Sequence, residues 1–139
     1  PGGAVCVCGG VGCAEALIGA DAVTARFRRA GGSAKELRDV IAQASDGNTA
    51  AIAAIEETGR LFGLTLATLA IIFFPDRIAI AGGLSEAGPS LLDATTKAFR
   101  QNASPFAAER ATVVKAALGW QATLAVASRS IAAPLRTII

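Results

Sequence analysis

The stretch Cys6-Val7-Cys8-Gly9-Gly10-Val11-Gly12-Cys13-Ala14-Glu15, CVCGGVGCAE, holds all three cysteines of a 139-residue chain that has no histidine. Thiolate is a soft ligand that suits zinc. The spacing C-x-C-x-x-x-x-C lets three sulfurs point at one ion if the backbone folds tightly around it. Gly9, Gly10 and Gly12 permit that fold, because glycine accepts positive φ. Structural zinc takes four ligands, so a fourth must come from Asp, Glu, water or a residue outside the chain. Taken alone, the spacing leaves two readings open, a metal knot and three free thiols in a glycine-rich loop. A catalytic cysteine is disfavoured, since no histidine is available as its base. Glu15 falls in a first helical turn, where the helix dipole alone would favour an acid.

The rest of the composition suits one folded domain. Hydrophobic residues make up 53% of the chain, which is ample for a core, and aromatics only 5%. Ala, Leu, Ile and Val therefore build the interior, as in closely packed helices on a sheet. The formal charge of +2 is too small for a nucleic-acid footprint. Arg26, Arg28 and Arg29 form one local cluster, read as a solvated helix face. The most apolar run, Leu61 to Phe74, is shorter than the ~18–20 residues that cross a bilayer, so it reads as a buried core helix. Clustered cysteines in an otherwise cysteine-free chain point to a reducing, cytoplasmic setting. The first residues carry no basic-then-apolar pattern. The chain opens on Pro1 and has no methionine, so it is expected to be a piece of a longer protein.

Helical spacing begins at Cys13, with Leu17, Ile18, Val23 and Phe27, and is expected to run on to Gly31-Gly32. Ser33-Ala34-Lys35-Glu36 reads as a capping box with Ser33 as N-cap. The short helix after it carries Leu37, Val40 and Ile41 on one side. Asp46-Gly47-Asn48 is a turn. A long helix follows from about Thr49 to Phe74, amphipathic at first and then apolar all round, expected to dive into the interior. Gly59 and Gly63 lie four apart on it, where another backbone can approach closely. Arg77 to Ala81, RIAIA, predicts a short buried strand. Gly82-Gly83 turns the chain into a helix that starts near Pro89 and runs to about Asn102. Ser104-Pro105 breaks it. Thr112 to Lys115 predicts a second strand, and a last helix is expected from about Gly119 to Ala133. Strand, glycine turn, helix, strand, helix is α/β grammar.

These motifs resemble a known family. Cys6 to Glu15 is similar to the zinc motif CxCGxxGCxE of the ROK family of bacterial sugar kinases and sugar-responsive transcriptional repressors. Asp46-Gly47-Asn48-Thr49-Ala50-Ala51 resembles the family's GD-x-x-A turn and helix. Gly59 to Leu69 followed by Pro75 resembles its long helix, which ends in N-P-E. Ile78-Ala79-Ile80-Ala81-Gly82-Gly83-Leu84 resembles its strand and GG turn, and Ala117-Leu118-Gly119 resembles its A-x-L-G. The likeness covers nearly the whole chain in register. It implies an α/β fold, the C-terminal lobe of the actin-like, ribonuclease-H-like sugar kinase ATPase architecture, helix-rich with few strands and filling residues 1–139.

The resemblance implies that Cys6, Cys8 and Cys13 hold a structural zinc, completed by a histidine upstream of this chain. It implies that Glu15 accepts sugar hydroxyls, and that Gly82 and Gly83 contact an adenine nucleotide, with ATP and Mg bound by the full-length protein. No catalytic residue is assigned here, because the family's phosphate loop, catalytic aspartate and E-x-G-H element have no counterpart in the chain. The implied function is the sugar-binding lobe of a sugar-responsive transcriptional regulator. The alternative is an ATP-dependent, glucokinase-like kinase of a hexose or N-acetylhexosamine. A small-molecule sugar, a homo-oligomeric partner and DNA bound through an upstream domain are the implied partners. Two departures stand out. Trp120-Gln121-Ala122-Thr123 stands where the family's last helix often carries D-A-G or G-A-A, which puts the implied nucleotide-side contacts in question. Phe73-Phe74 replaces Leu-Asn before the proline, and is expected only to repack the core.

Overall fold

A computed structural model describes residues 3–117. The expected last helix, the A-x-L-G element beyond Ala117 and Trp120 to Thr123 lie outside the described residues. Helices α1 (Glu15–Ile18), α2 (Ala20–Arg29), α3 (Leu37–Ser45) and α4 (Thr49–Phe73) precede strand β1 (Arg77–Ile80). A 3-10 turn (Gly83–Ala87), α5 (Gly88–Asn102), α6 (Pro105–Arg110) and β2 (Thr112–Lys115) follow. The strands pair in parallel, Arg77 opposite Thr112 and Ile80 opposite Lys115.

The helix expected from Cys13 to Gly31 is two helices. Gly19 is extended (φ −64°, ψ 164°), and the chain turns there from α1 into α2. The predicted cap of α3 is also displaced. Leu37, not Ala34, begins the helix, with Glu36 at the N-cap in place of Ser33. Arg28 explains the shift, because its guanidinium takes the carbonyls of Ala34 (2.7 Å) and Lys35 (3.0 Å) before a helix can use them. The Asp39 carboxylate then reaches back to the N–H groups of Lys35 and Glu36. Those two donors, Lys35 first, hold its pKa below the ordinary carboxylate value. Arg26 also departs from a solvated face: it donates to the Thr58 hydroxyl on α4 and to the Leu17 carbonyl at 2.9 Å. It thereby ties the end of α1 to the long helix.

Two clusters form the core. Val23, Phe27, Val40, Ala51, Ala54, Ile55 and Leu91 join α2, α3 and the first half of α4 to the start of α5. Leu66, Ala67, Ala70, Phe99, Ala107 and Ala111 join the second half of α4 to α5 and α6, with Ile78 and Val113 of the sheet against them. Between the clusters α4 and α5 meet backbone to backbone. A Cβ built at Gly59 would lie 2.7 Å from the Leu91 carbonyl oxygen, and one at Gly63 would lie 2.5 Å from that of Thr95. The close approach expected at these glycines is therefore present, and α5 is its partner.

The apolar end of α4 does not dive into the interior. Ile71, Ile72, Phe73 and Phe74 are all exposed, although Ala70 is fully buried. The Phe73-Phe74 replacement therefore does not repack the core. Phe74 ends the helix in the left-handed region (φ 45°, ψ 50°) and swings its ring outward. That conformation costs a bulky residue about 1–2 kcal/mol. β1 is likewise less buried than its sequence predicts: Arg77 and Ala79 are exposed, Ile78 is half-buried and only Ile80 is buried. Helix α6 was not anticipated, yet its signal was readable. Ser104 caps it through the Ala107 N–H, and Pro105 stands in its first turn.

Gly63→Ala should lower stability by about 1–2 kcal/mol, because overpacking against a backbone carbonyl outweighs the ~1 kcal/mol gained in helix propensity. Denaturant unfolding measures it. An unchanged or raised midpoint would mean that α4 and α5 are not in contact at this point.

Candidate metal centre and adjoining cavity

The cysteine loop is a small antiparallel hairpin. Val5 bridges Val11, and the Gly12 N–H donates to the Ala4 carbonyl at 2.9 Å. Inside it the Cys6 N–H donates to the Gly10 carbonyl and the Gly9 N–H to the Cys6 carbonyl, each at 2.9 Å. Gly9 (φ 85°) and Gly12 (φ 79°) make the reversal, in a region closed to most side chains. The result gathers the three thiols. Their Sγ atoms all lie within 4.8 Å of one another, and Cys8 and Cys13 are 3.6 Å apart.

That spacing fits a tetrahedral metal. Sulfurs bound at ~2.3 Å to one zinc lie about 3.8 Å apart. The loop also leaves no spare room, since a Cβ at Gly10 would sit 3.1 Å from the Cys13 sulfur and 3.4 Å from that of Cys8. Cys6 is buried, Cys13 half-buried and Cys8 exposed. The thiols differ in acidity. The Gly10 N–H, then the Cys6 and Cys13 thiols, hold Cys8 below the ordinary thiol value. Cys13 is pushed up to about 11, chiefly by its hydrogen bond with Cys8 and then by Cys6. Of this pair, Cys8 is the readier thiolate and Cys13 keeps the proton.

Glu15 follows two residues after Cys13, and the Ala16 N–H donates to the Cys13 carbonyl at 3.1 Å. The backbone of the third cysteine is thus hydrogen-bonded into the turn that carries the carboxylate. Glu15 lines a cavity of about 300 Å³ with Gly19, Leu37, Phe62, Ala81 and Gly83. The structure therefore brings Glu15 and Gly83 to one cavity, although 68 residue positions separate them (83 − 15). Gly82 is not in its lining. It sets the turn (φ 84°), and its carbonyl accepts from the Ser85 N–H at 3.0 Å and hydroxyl at 2.6 Å. A second cavity of about 750 Å³ shares Ala20, Leu37 and Gly83 and adds Asp21, Glu36, Arg38, Ile41 and Glu86.

The wall residues were not singled out from sequence. Leu37 read as a core position and Phe62 as part of an apolar run, and nothing local marks either as facing a cavity. The ion pair between Glu86 and Lys115, at 3.0 Å, joins the 3-10 turn to the end of β2 across 29 residues. No short motif could have signalled it.

A model of the ROK family matches residues 1–129. The chain belongs to the ROK family. A curated relative, a glucokinase of Halalkalibacterium halodurans, is 29% identical over 85% of this chain and 40% of its own length. Among solved structures, a ROK glucokinase from Streptomyces griseus in complex with glucose and AMPPNP aligns with a TM-score of 0.81 and 28% identity. That match covers 92% of this chain and 47% of the glucokinase. A ROK transcriptional regulator, homologous to the E. coli MLC protein, aligns with a TM-score of 0.70 and 28% identity over 83% of this chain and 32% of the regulator. The chain thus spans less than half the length of these relatives. Its fold is that of the matching part of ROK sugar kinases, the actin-like ATPase architecture. Among the described residues, no helix is long and apolar enough to cross a membrane.

Metal binding should be strongly pH-dependent. A thiol that keeps its proton at neutral pH must release it to become a ligand, so affinity should rise about tenfold per pH unit for each proton lost. Zinc competition with a chromophoric chelator between about pH 6 and pH 8 would read this on the full-length protein. A pH-independent affinity would mean that the thiols are not the ligands.

Proposed function

We propose that this chain is the sugar-binding lobe of a longer ROK protein, with Glu15 as the acceptor of sugar hydroxyls. The supporting observation is the meeting of Glu15 and Gly83 on one cavity, with Glu15 two residues beyond the last of the gathered thiols. A carboxylate offers two oxygens to two hydroxyl donors, and hydrogen bonds to a charged acceptor are the stronger kind. They select a polyol only if the carboxylate is fixed. Cys6, Cys8 and Cys13 would fix it by holding a structural zinc, with the fourth ligand supplied from outside the chain. Bound there by these three thiolates and a fourth protein ligand, zinc would supply a rigid anchor and no activated water. Glu15, two residues beyond the third thiol, takes its donors from the sugar. Gly83 and the walls from Leu37 and Phe62 give the ligand an apolar floor that excludes water from those bonds. The setting is cytoplasmic, where thiols stay reduced.

The protein as a whole is proposed to be a sugar-responsive transcriptional regulator that reaches DNA through an upstream domain. The cavity beyond Gly83 favours this reading. Its rim carries Asp21, Glu36 and Glu86; Arg38 pairs with Glu36 at 2.9 Å and Lys115 with Glu86 at 3.0 Å, so the rim keeps one carboxylate, Asp21, in excess. A net negative rim repels a triphosphate. Trp120-Gln121-Ala122 in place of D-A-G points the same way. The kinase reading has its own support in the alignment with the glucokinase that carries glucose and AMPPNP. In that case Gly82 and Gly83 would face adenine nucleotide, with Mg, and the phosphates would lie toward the upstream half.

Glu15→Gln in the full-length protein should weaken sugar binding by about 10- to 100-fold, the loss expected when a charged acceptor becomes neutral. Titration calorimetry with a panel of hexoses and N-acetylhexosamines reads it, and unchanged affinity would remove Glu15 from the site. Hexose-dependent ADP release, assayed beside sugar-sensitive operator binding, separates the two whole-protein readings. Turnover of any hexose would establish the kinase and overturn the regulator.

A further inference from the structure

The loop that gathers the three thiols does not treat them alike. Cys8 and Cys13 meet sulfur to sulfur at 3.6 Å. Cys6 is buried, its N–H donates to the Gly10 carbonyl and its carbonyl accepts from the Gly9 N–H. Cys8 is exposed, midway between the bridged residues Val5 and Val11, and Cys13 is half-buried where the hairpin ends. Among the described residues, the backbone hydrogen bonds of the hairpin do not use Cys8. A Cβ built at Gly10 would touch both sulfurs, 3.1 Å from Cys13 and 3.4 Å from Cys8, so the pair sits over a bare Cα. Bonded sulfurs lie about 2.05 Å apart, and small rotations about the two Cα–Cβ bonds close the remaining ~1.5 Å. Gly9, Gly10 and Gly12 stand between the two cysteines, with only Val11 besides, so the backbone can follow.

We propose that Cys8 and Cys13 are a redox-sensing pair that a hydroperoxide joins in a reversible disulfide, in competition with metal for the same loop. The Cys8 thiolate attacks the hydrogen-bearing oxygen of the hydroperoxide, and the O–O bond breaks. The leaving alkoxide or hydroxide takes up the Cys8 proton, and Cys8 becomes a sulfenic acid. The Cys13 thiolate then attacks that sulfur. The S–S bond forms, the S–O bond breaks, and the departing hydroxide leaves as water with the Cys13 proton. Two thiols give up two electrons and two protons, and the hydroperoxide is reduced to an alcohol, or water, plus water. An accessible cysteine beside a resolving thiol is the arrangement of redox sensors. In a reducing compartment the bond is transient, because a dithiol reverses it by exchange. Disulfide and metal exclude each other, since only a thiolate is a metal ligand. Joining Cys8 to Cys13 leaves Cys6 as the one remaining ligand of the gathered three. Loss of sugar affinity under oxidant would follow, and that consequence alone rests on the proposed function.

The test exposes the full-length wild-type protein, zinc-loaded and chelator-stripped, to hydrogen peroxide. Alkylation before and after treatment with a dithiol, followed by peptide mass mapping, reads each cysteine. Cys8 and Cys13 should lose alkylation together, regain it after the dithiol, and lie on a peptide lighter by two hydrogens. Cys6 should stay alkylatable throughout. The zinc-loaded protein should react more slowly than the stripped one. The zinc that it releases, read with a chromophoric chelator, should match the disulfide formed mole for mole. Four outcomes would each overturn the proposal: a bond from Cys6 to either partner, Cys8 oxidised while Cys13 remains alkylatable, thiols of the stripped protein that survive peroxide, or zinc retained by chains that carry the disulfide. None of these readouts involves sugar or Glu15, so the sugar reading stands or falls separately.

Discussion

The backbones of α4 and α5 touch at Gly59 and Gly63 with no side chain between them, and the lobe is arranged around that contact. α5 is the helix entered from the Gly82-Gly83 turn, so its seat on α4 sets where that turn lies. α4 also carries Thr58, to which Arg26 donates while holding the Leu17 carbonyl. The end of α1, and with it Glu15, is therefore positioned by the same long helix. Glu15 and Gly83 come from distant parts of the chain, yet both are referred to one rigid element. Hydrophobic burial on either side of the contact stabilises the arrangement, one cluster under α2 and α3 and the other under the sheet. The second cluster stops at Ala70, and beyond it the helix runs out into solvent with its most apolar residues.

The thiol loop acts at shorter range. Its backbone hydrogen bonds and its two positive-φ glycines gather the sulfurs before any ion is considered. Such preorganisation lowers the entropy lost on binding. The gathered thiols also hydrogen-bond one another, which adds to the Gly10 N–H in lowering the pKa of Cys8 and raises that of Cys13. A loop of this kind suits a carboxylate that must discriminate among hydroxyl patterns. The two ends of the lobe are thus chemically distinct. One is the cavity lined by Glu15 and Gly83, and the other is an aromatic surface.

Much of this was legible in the sequence, for identifiable reasons. The spacing of the cysteines and their glycines is local, and it forecast the gathered thiols. Periodicity and turn residues placed α4, α5 and both strands nearly to the residue, and the pair Gly59 and Gly63 announced a close approach. What sequence could not carry was tertiary in origin. Arg28 moved the start of α3 by taking two carbonyls, a contact that no propensity encodes. Gly19 split a helix that its apolar spacing treats as continuous. The apolar end of α4 read as buried because hydrophobicity reports a preference for burial and not its direction. The cavity itself was unreadable, because Leu37, Phe62 and Gly83 meet only in the fold. Glu86 and Lys115 pair for the same reason.

The central claim is that the thiol loop, holding zinc, fixes Glu15 for sugar. It is tested most directly by measuring sugar affinity in the full-length protein with metal bound, after removal by a chelator under reducing conditions, and after zinc is restored. The account predicts that affinity falls on removal and returns with one zinc per chain, while far-ultraviolet circular dichroism shows the helices intact throughout. Equal sugar affinity in the metal-free and zinc-restored protein would contradict it.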